Sequence, residues 1–360
     1  MPNCPKVVVL GGGIAGLAAA ANLARRGAQV ALIERDAVLG GNALTVCCKA
    51  VEGECQLCGG CLLPDQIDEV RRSDLVEVWT QTTVTRVTRE NGGFLLRLRN
   101  GSGADMSLSA DALVLATGFD HVDARTKGPY GYGILPQVIT GQDMEKRLCD
   151  EGQAAYDGLG LKKVAFIQCV GSRDEHAGRG YCSQVCCRYA LRLARLLKSR
   201  LPEVEIALFK MDLQHAGRDM AAAWRAISSM EGVRVVAGLP AVIRRSTENP
   251  KRVTFFYNDI LADDLAQERA PGTKQEDFDL VVLSVGMQPR ADAGRVAELF
   301  GVNRDAYGFF STRDQEGVST ILPGVFVAGS CQAPRSMSEA VAHARQAAEA
   351  CYRYLQEKGS

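Results

Sequence analysis

The sequence predicts an α/β protein made of two dinucleotide-binding-type (Rossmann-like) units. Three observations carry this. The run "KVVVLGGGIAGLAAAANLARRGAQVALIER" (6–35) reads as strand, glycine loop, helix and strand. Its parts recur later, where "KVAFI" (163–167) echoes "KVVVL" and "VEIALFK" (204–210) echoes "QVALIER". Two hairpin-like stretches, 82–101 and 241–259, are each followed by a buried strand ending in glycine, "DALVLATG" and "FDLVVLSVG". A chain of 360 residues is long enough for two such units, each with its own core.

In the first unit, Val7–Leu10 form a strand apolar on both faces, as a central parallel strand requires. Gly11, Gly13 and Gly16 have G-x-G-x-x-G spacing, with Ile14 and Ala15 at the helix start. The first glycine permits the turn, the second lets the backbone approach a pyrophosphate, and the third lets helix pack on strand. Glu34 ends the second strand, where a carboxylate suits a ribose hydroxyl pair. A signal peptide or membrane anchor over 7–24 is the competing reading; three successive glycines would weaken a spanning helix, so we reject it.

Three further runs resemble flavoproteins with two dinucleotide-binding domains, and so favour FAD over NAD at this fingerprint. "ERDAVLGGNA" supplies Arg35, Gly41 and Asn42; "DALVLATGF" supplies Thr117 and Gly118; "GVFVAGSCQAPRSMSEAVAHARQAA" (324–348) supplies Gly329, Ser330, Met337 and Ser338. The resemblance also assigns Val84, in "TTVTR", to the cofactor pocket. At 330 these flavoproteins usually carry Asp; Ser330 weakens that contact here and leaves the backbone contact open. The architecture implied is that of thioredoxin reductase and lipoamide dehydrogenase relatives. It gives a discontinuous FAD domain over 1–140 plus 290–360, and a second domain over 141–289.

In such relatives the second domain binds NAD(P)H. Here the loop after "KVAFI" lacks closely spaced glycines, and no basic cluster follows Met211, so no NAD(P)H site is expected. Instead "IQCVGSRDEHAGRGYCSQVCC" (167–187) carries Cys169, Cys182, Cys186 and Cys187, the last two at a helix start. A helix N-terminus favours thiolates. Four converging thiolates suit a [4Fe–4S] cluster or tetrahedral zinc. The adjacent pair departs from both ferredoxin and zinc-knuckle spacing, so spacing leaves both metals, and unligated cysteines, open.

Here "VAFIQCVGSRDE…YCSQVCC" resembles the A-type subunit of heterodisulfide reductase, as does the run 324–348. In that family the four matching cysteines hold a [4Fe–4S] cluster beside FAD. The resemblance implies an iron–sulfur flavoprotein subunit of a cytoplasmic electron-transfer complex. Partners would be heterodisulfide-reductase-like B and C type subunits, together with a second copy in a homodimer. The short form, without added ferredoxin-like cysteine runs, resembles that of sulfur-oxidising prokaryotes and implies a role in sulfur oxidation. Two rivals stand beside it. One is the flavin subunit of a quinone-interacting oxidoreductase; the other is a stand-alone NAD(P)H-dependent disulfide reductase. A cofactor-bearing scaffold holding zinc is a third class.

The chain has thirteen cysteines, a count that suits metal or redox chemistry in a chain too large for a disulfide scaffold. Cys47, Cys48, Cys55, Cys58 and Cys61 form a second constellation with three open readings: a cluster, a redox thiol pair, or packing. Cys4, Cys149, Cys331 and Cys351 are isolated in sequence and read as structural. Of the four histidines, His176 reads as an exposed loop residue and His343 as a surface partner of Glu339. Arg335 reads equally as a cation near the flavin or as a surface residue. Lys plus Arg balance Asp plus Glu at 42 each, which offers nothing to nucleic acid or an anionic membrane, and no stretch after 24 is apolar for long enough to span a bilayer.

Overall fold

The computed structural model describes residues 5–90, 92–151, 156, 158–213, 218–259 and 273–359; Cys4 and His215 lie outside them. In chain order the main elements begin β1 (Lys6–Leu10), α1 (Ile14–Arg25), β2 (Gln29–Ile33), α2 (Leu62–Arg71) and β3 (Val76–Trp79). They continue with β4 (Thr82–Glu90), β5 (Gly93–Asn100), β6 (Asp105–Ala110), β7 (Ala112–Leu115), β8 (Phe119–His121), β9 (Val138–Thr140) and α3 (Gly141–Glu151). Next come β10 (Lys163–Val170), α4 (Cys186–Arg200), β11 (Glu205–Lys210), α5 (Arg218–Ser228), β12 (Val233–Ala237), β13 (Ile243–Arg245) and β14 (Val253–Tyr257). The chain closes with β15 (Lys274–Phe278), β16 (Leu280–Val285), β17 (Met287–Pro289), α6 (Ala293–Phe300), β18 (Val325–Val327) and α7 (Met337–Gly359).

Two compact units result. The first comprises 1–44, 59–120 and 288–360, and the second 45–58 and 121–287. The crossing therefore comes at 120/121, not at the expected 140/141. The reason is β9, which pairs with β16 through Val138↔Val281 to Thr140↔Leu283 and so closes one edge of the second sheet. Residues 45–58 also join the second unit, though they are flanked in sequence by the first.

In the first unit the parallel sheet has the order β18-β7-β1-β2-β3, and β4-β5-β6 form an antiparallel meander. β1 is apolar on both sides because both sides are covered. Val7 and Val9 pack into a core with Leu17, Ala20 and Ala344, and Val8 into another with Phe94, Leu96 and Phe300. The alanines of α1 let it approach α7 closely. In the second unit the parallel sheet has the order β12-β11-β10-β16-β9 and the meander is β13-β14-β15. The same split recurs: Val164 and Phe166 face the helical core, while Ala165 and Ile167 face a core with Phe209, Phe255 and Phe278. There Phe255 and Phe278 stack with ring centroids 4.7 Å apart, and Phe209 meets Phe255 edge-on at 5.1 Å.

The internal repeat read from sequence is thus a repeat of topology, with β1, β2, β3 and β7 matched by β10, β11, β12 and β16. Each expected hairpin gains a third strand. The units differ in their edge strand, which follows the meander in the first unit (β18) and precedes β10 in the second (β9). No helix among the described residues is long and apolar enough to cross a membrane.

Candidate dinucleotide and thiol sites

In the first unit the sequence-predicted residues other than Val84 lie at or just beyond the carboxyl ends of β1, β2, β7 and β18, where open parallel sheets bind ligands. Gly11 follows β1 with φ +106°, and a β-carbon there would stand 2.5 Å from the Ala116 carbonyl oxygen. Gly16 lies in the first turn of α1, where a β-carbon would stand 1.7 Å from the Gly11 carbonyl oxygen. Both glycines are demanded by the protein's own packing. Gly13 is different. It is the N-cap of α1 in extended conformation, and a β-carbon would meet nothing nearer than the Gly40 oxygen at 4.0 Å. Its bare backbone borders open space at a helix N-terminus whose first turn carries no acidic residue. That arrangement fits an anionic pyrophosphate.

Glu34 is buried, and its carboxylate accepts from Gly12 N at 2.6 Å and Asp36 N at 2.8 Å. Thr82 N donates to the Glu34 carbonyl at 2.9 Å, which brings the start of β4 to the end of β2; the Val84 side chain itself is buried in the core behind the sheet. The double glycine folds against the loop, with Gly40 N donating to Gly12 O at 2.8 Å. Gly41 has φ +53°, and a β-carbon there would lie 3.3 Å from Gly13 Cα. Asn42 Nδ2 donates to Phe119 O at 2.9 Å, and Arg35 pairs with Asp292 at 3.0 Å on the surface. Thr117 and Gly118 follow β7; Gly118 has φ +76° and nothing within 4 Å of a β-carbon position. Ile14 and Ala15 open α1, Met337 and Ser338 open α7, and Ser330 is buried beside Gly329.

His343 departs from the expected surface pairing with Glu339. It is only 4% exposed, its Nδ1 accepts from Gly329 N at 2.9 Å, and its Nε2 lies 2.9 Å from Gly317 O. With Nδ1 accepting, Nε2 carries the proton and donates. Burial, with Arg335 nearby, pushes its pKa down to about 4. Glu339 instead accepts from Ser336 N and Oγ, capping α7. Arg335 folds back, donating to Gly329 O at 3.2 Å and Gln332 Oε1 at 2.6 Å. Cys331 is buried, its thiol donating to Leu115 O and Ala328 O. Cys351 is buried among the alanines of the helical core, as a structural cysteine should be.

In the second unit the four cysteines of 167–187 come together. β10 runs on to Val170 through an irregularity between Ile167 and Val170, with Cys169 at φ +58°, a left-handed conformation uncommon outside glycine. The loop that follows is built around two buried serines. Ser183 N donates to Ser172 Oγ at 3.0 Å, and Ser183 Oγ accepts from Met287 N at 2.8 Å. Cys186 and Cys187 start α4 and are buried; Cys182 Sγ accepts from Gln184 N at 3.3 Å. Cys186 is pushed well above the ordinary thiol range, first by burial, then by the negative charge that Cys169, Cys187 and Cys182 would carry. Cys169 is pushed up to about 11 by burial and then by Cys187, with Arg173 acting in the opposite direction. The four thiols therefore share one electrostatic neighbourhood at a helix N-terminus. Among the described residues no three Cys, His, Asp or Glu side chains stand in a ready single-ion arrangement. The donor set, four thiols with the Arg173 guanidinium nearby, itself paired with Asp212, fits a thiolate-bound cluster. His176 is exposed, as expected.

The second constellation lies in an irregular segment. Cys55 Sγ accepts from Leu57 N at 3.3 Å, and the Cys58 thiol points to Cys47 O at 3.9 Å. Cys149, expected to be isolated, is not: its thiol donates to Thr45 O at 3.4 Å, two residues before Cys47, and the Cys47 thiol meets Glu145, one turn earlier on α3. Beside it, Lys49, 1% exposed, pairs with Glu145 at 2.5 Å. Nothing local in the sequence announces that α3 meets residues 45–49.

A family model for pyridine nucleotide-disulphide oxidoreductases matches residues 5–348. The chain belongs to that family. It is an oxidoreductase, and membership supports a flavin dinucleotide in the first unit. The chain is 28% identical to the A-type iron-sulfur subunit 2 of the CoB–CoM heterodisulfide reductase of Methanopyrus kandleri, over 95% of this chain and 63% of that protein. It is 34% identical to the A-type subunit of the H2/formate:CoB–CoM heterodisulfide,ferredoxin reductase of Methanococcus maripaludis, over 68% of this chain and 37% of that protein. The resemblance to the A-type subunit of heterodisulfide reductase is thus matched by curated relatives, of whose length the chain spans between about a third and two thirds. Among solved structures, Lactococcus lactis thioredoxin reductase aligns with TM-score 0.61 at 19% identity, covering 98% of this chain and 99% of that one. A NAD-dependent persulfide reductase from A. fulgidus aligns with TM-score 0.55 at 19% identity, over 96% of this chain and 59% of that one. Both share the fold.

Proposed function

We propose that the chain is an FAD- and [4Fe–4S]-containing electron-transfer subunit of a heterodisulfide-reductase-like complex, acting in sulfur oxidation in the cytoplasm. The observation that carries this is the quartet Cys169, Cys182, Cys186 and Cys187 at the carboxyl end of the second parallel sheet, where a glycine loop would otherwise serve a nicotinamide dinucleotide. The word "iron-sulfur" in a relative's name supports the same reading. FAD would be held by the backbone around Gly11, Gly13, Gly16, Gly118 and Gly329, and by Glu34; the cluster would be held by the four thiolates. When bound, the flavin exchanges electrons singly or in pairs and the cluster singly, so one chain links two-electron chemistry to a one-electron path. The chain's own residues supply the setting. The α1 N-terminus faces negative phosphate, His343 holds the Gly329 amide, and the α4 N-terminus with Arg173 offsets thiolate charge.

Partners on this reading are B and C type subunits and a second copy of the chain, and no NAD(P)H is bound. The test is iron, zinc and flavin content of one anaerobically purified sample, with its visible spectrum. Flavin bands plus a broad brown absorption bleached by dithionite are expected. Stoichiometric zinc without iron would end this reading and leave a zinc-bearing flavoprotein.

A further inference from the structure

The cysteines not assigned above include one pair that topology alone brings together. Cys47 follows the first-unit double glycine, and Cys149 lies near the end of α3. The framework around them is reciprocal. The Cys47 thiol and amide both donate to Glu145 Oε2, at 3.5 and 3.4 Å, while the Cys149 thiol donates to Thr45 O at 3.4 Å. Glu145 and Cys149 are four residues apart on α3 and so share a face. Lys49 Nζ closes the group, pairing with Glu145 and donating to Cys47 O at 3.1 Å. Gln56 Nε2 donates to Lys49 O and holds the segment in place. Cys149 is exposed and Cys47 half-buried, so one thiol is open to a reactant and the other waits behind it.

We propose that Cys47 and Cys149 are a redox-active dithiol that exchanges with disulfides, Cys149 as the attacking thiol, Cys47 as the resolving thiol and Glu145 as its proton acceptor. In the first step the Cys149 thiolate, its proton lost to solvent, attacks one sulfur of an incoming disulfide; that S–S bond breaks and one thiolate leaves. In the second, the Cys47 proton passes to Glu145 Oε2 and Cys47 Sγ attacks Cys149 Sγ. The mixed disulfide breaks, the second thiolate leaves, and the Cys47–Cys149 bond forms. Two electrons pass from the protein pair to the incoming disulfide, and the two protons end on the two released thiols. Burial, then Glu145, pushes Cys47 up to about 12, so the resolving thiol rests protonated with its hydrogen bond already directed at the carboxylate. The pair uses none of the four cysteines of 167–187 and stands independently of the cluster proposal.

The test uses full-length protein with its cofactors, reduced, desalted anaerobically and exposed to glutathione disulfide at pH 8. After acid quenching and alkylation, non-reducing digestion and fragment mass spectrometry locate every linkage, separating Cys47 from Cys48. A Cys47–Cys149 linked peptide is expected in most molecules, reversible by dithiothreitol, with iron content unchanged. Cys47→Ser should instead accumulate a glutathione adduct on Cys149, and Cys149→Ser should show neither linkage nor adduct on Cys47. Glu145→Gln should slow resolution about a hundredfold; Lys49→Met with Glu145→Gln should slow it equally, without leaving a buried unpaired ammonium. The proposal is overturned if the wild type shows no 47–149 linkage, if its Cys149 adduct persists as in Cys47→Ser, or if Cys47→Ser loses iron, which would make Cys47 a cluster ligand.

Discussion

A β-carbon at Gly16 would stand 1.7 Å from a backbone oxygen, whereas one at Gly13 would meet nothing within ordinary contact. The two glycines of one motif therefore predict different failures. Gly16→Val should not fold stably, at a cost on the order of 4 kcal/mol or more, because backbone cannot move aside for it. Gly13→Val should keep the fold and lose FAD, because its side chain enters the space the pyrophosphate needs. Circular dichroism and flavin absorbance on the same samples separate the two, and full FAD content in folded Gly13→Val would refute the assignment. His343 gives a second residue-scale prediction. Its folded pKa of about 4 lies below the ordinary 6.5, so the unfolded chain binds the extra proton and stability falls as pH drops from about 6.5 towards 4. Unfolding free energy should be roughly 2 kcal/mol lower at pH 5 than at pH 7 from this residue, a dependence that His343→Gln should remove. Denaturant titrations at the two pH values measure it.

At the scale of the element, β10, its loop and α4 act as one device. The sheet fixes Cys169 at a strand end, the irregularity before Val170 turns it into a left-handed conformation, the Ser172–Ser183 hydrogen bonds shape the return, and α4 presents Cys186 and Cys187 at its amino end. Cys182 belongs to the loop, and its loss leaves the sheet and helix intact. On the proposed function, Cys182→Ser is expected to remove or destabilise the iron–sulfur absorption while most FAD remains, because the residues proposed to hold FAD all belong to the first unit. An unchanged iron content in this variant would show that the quartet is not the site.

At the scale of the whole chain, one topology occurs twice and its loops have diverged. Both sheets place a central strand between the same neighbours, yet the first runs straight into three glycines while the second ends with Cys169 and leads through a loop to Cys182, Cys186 and Cys187. On the proposed function, stoichiometric NADH or NADPH mixed anaerobically with the protein should leave the flavin oxidised on the timescale of catalysis. Rapid flavin bleaching in a stopped-flow record would return the chain to nicotinamide-dependent disulfide reduction.

The glycine loop, Glu34 and the paired sheets were legible in the sequence because they rest on local rules: apolar runs make central parallel strands, and glycine spacing makes a phosphate turn. The placement of the 167–187 cysteines at a strand end, in a loop and at a helix start was legible for the same reason, since these parts are contiguous in the chain. Tertiary structure alone decided the rest. β9 moved the domain boundary because pairing to β16, more than a hundred residues later, has no local signal. His343 became a buried bridge to Gly329 and Gly317 because α7 packs its face inward, where helical spacing to Glu339 suggested an exposed pair. Cys149 came against the segment that carries Cys47 because α3 and residues 45–58 fold into the same unit. Sequence spacing registers which side chains share an element, and only long-range packing determines which elements share a site.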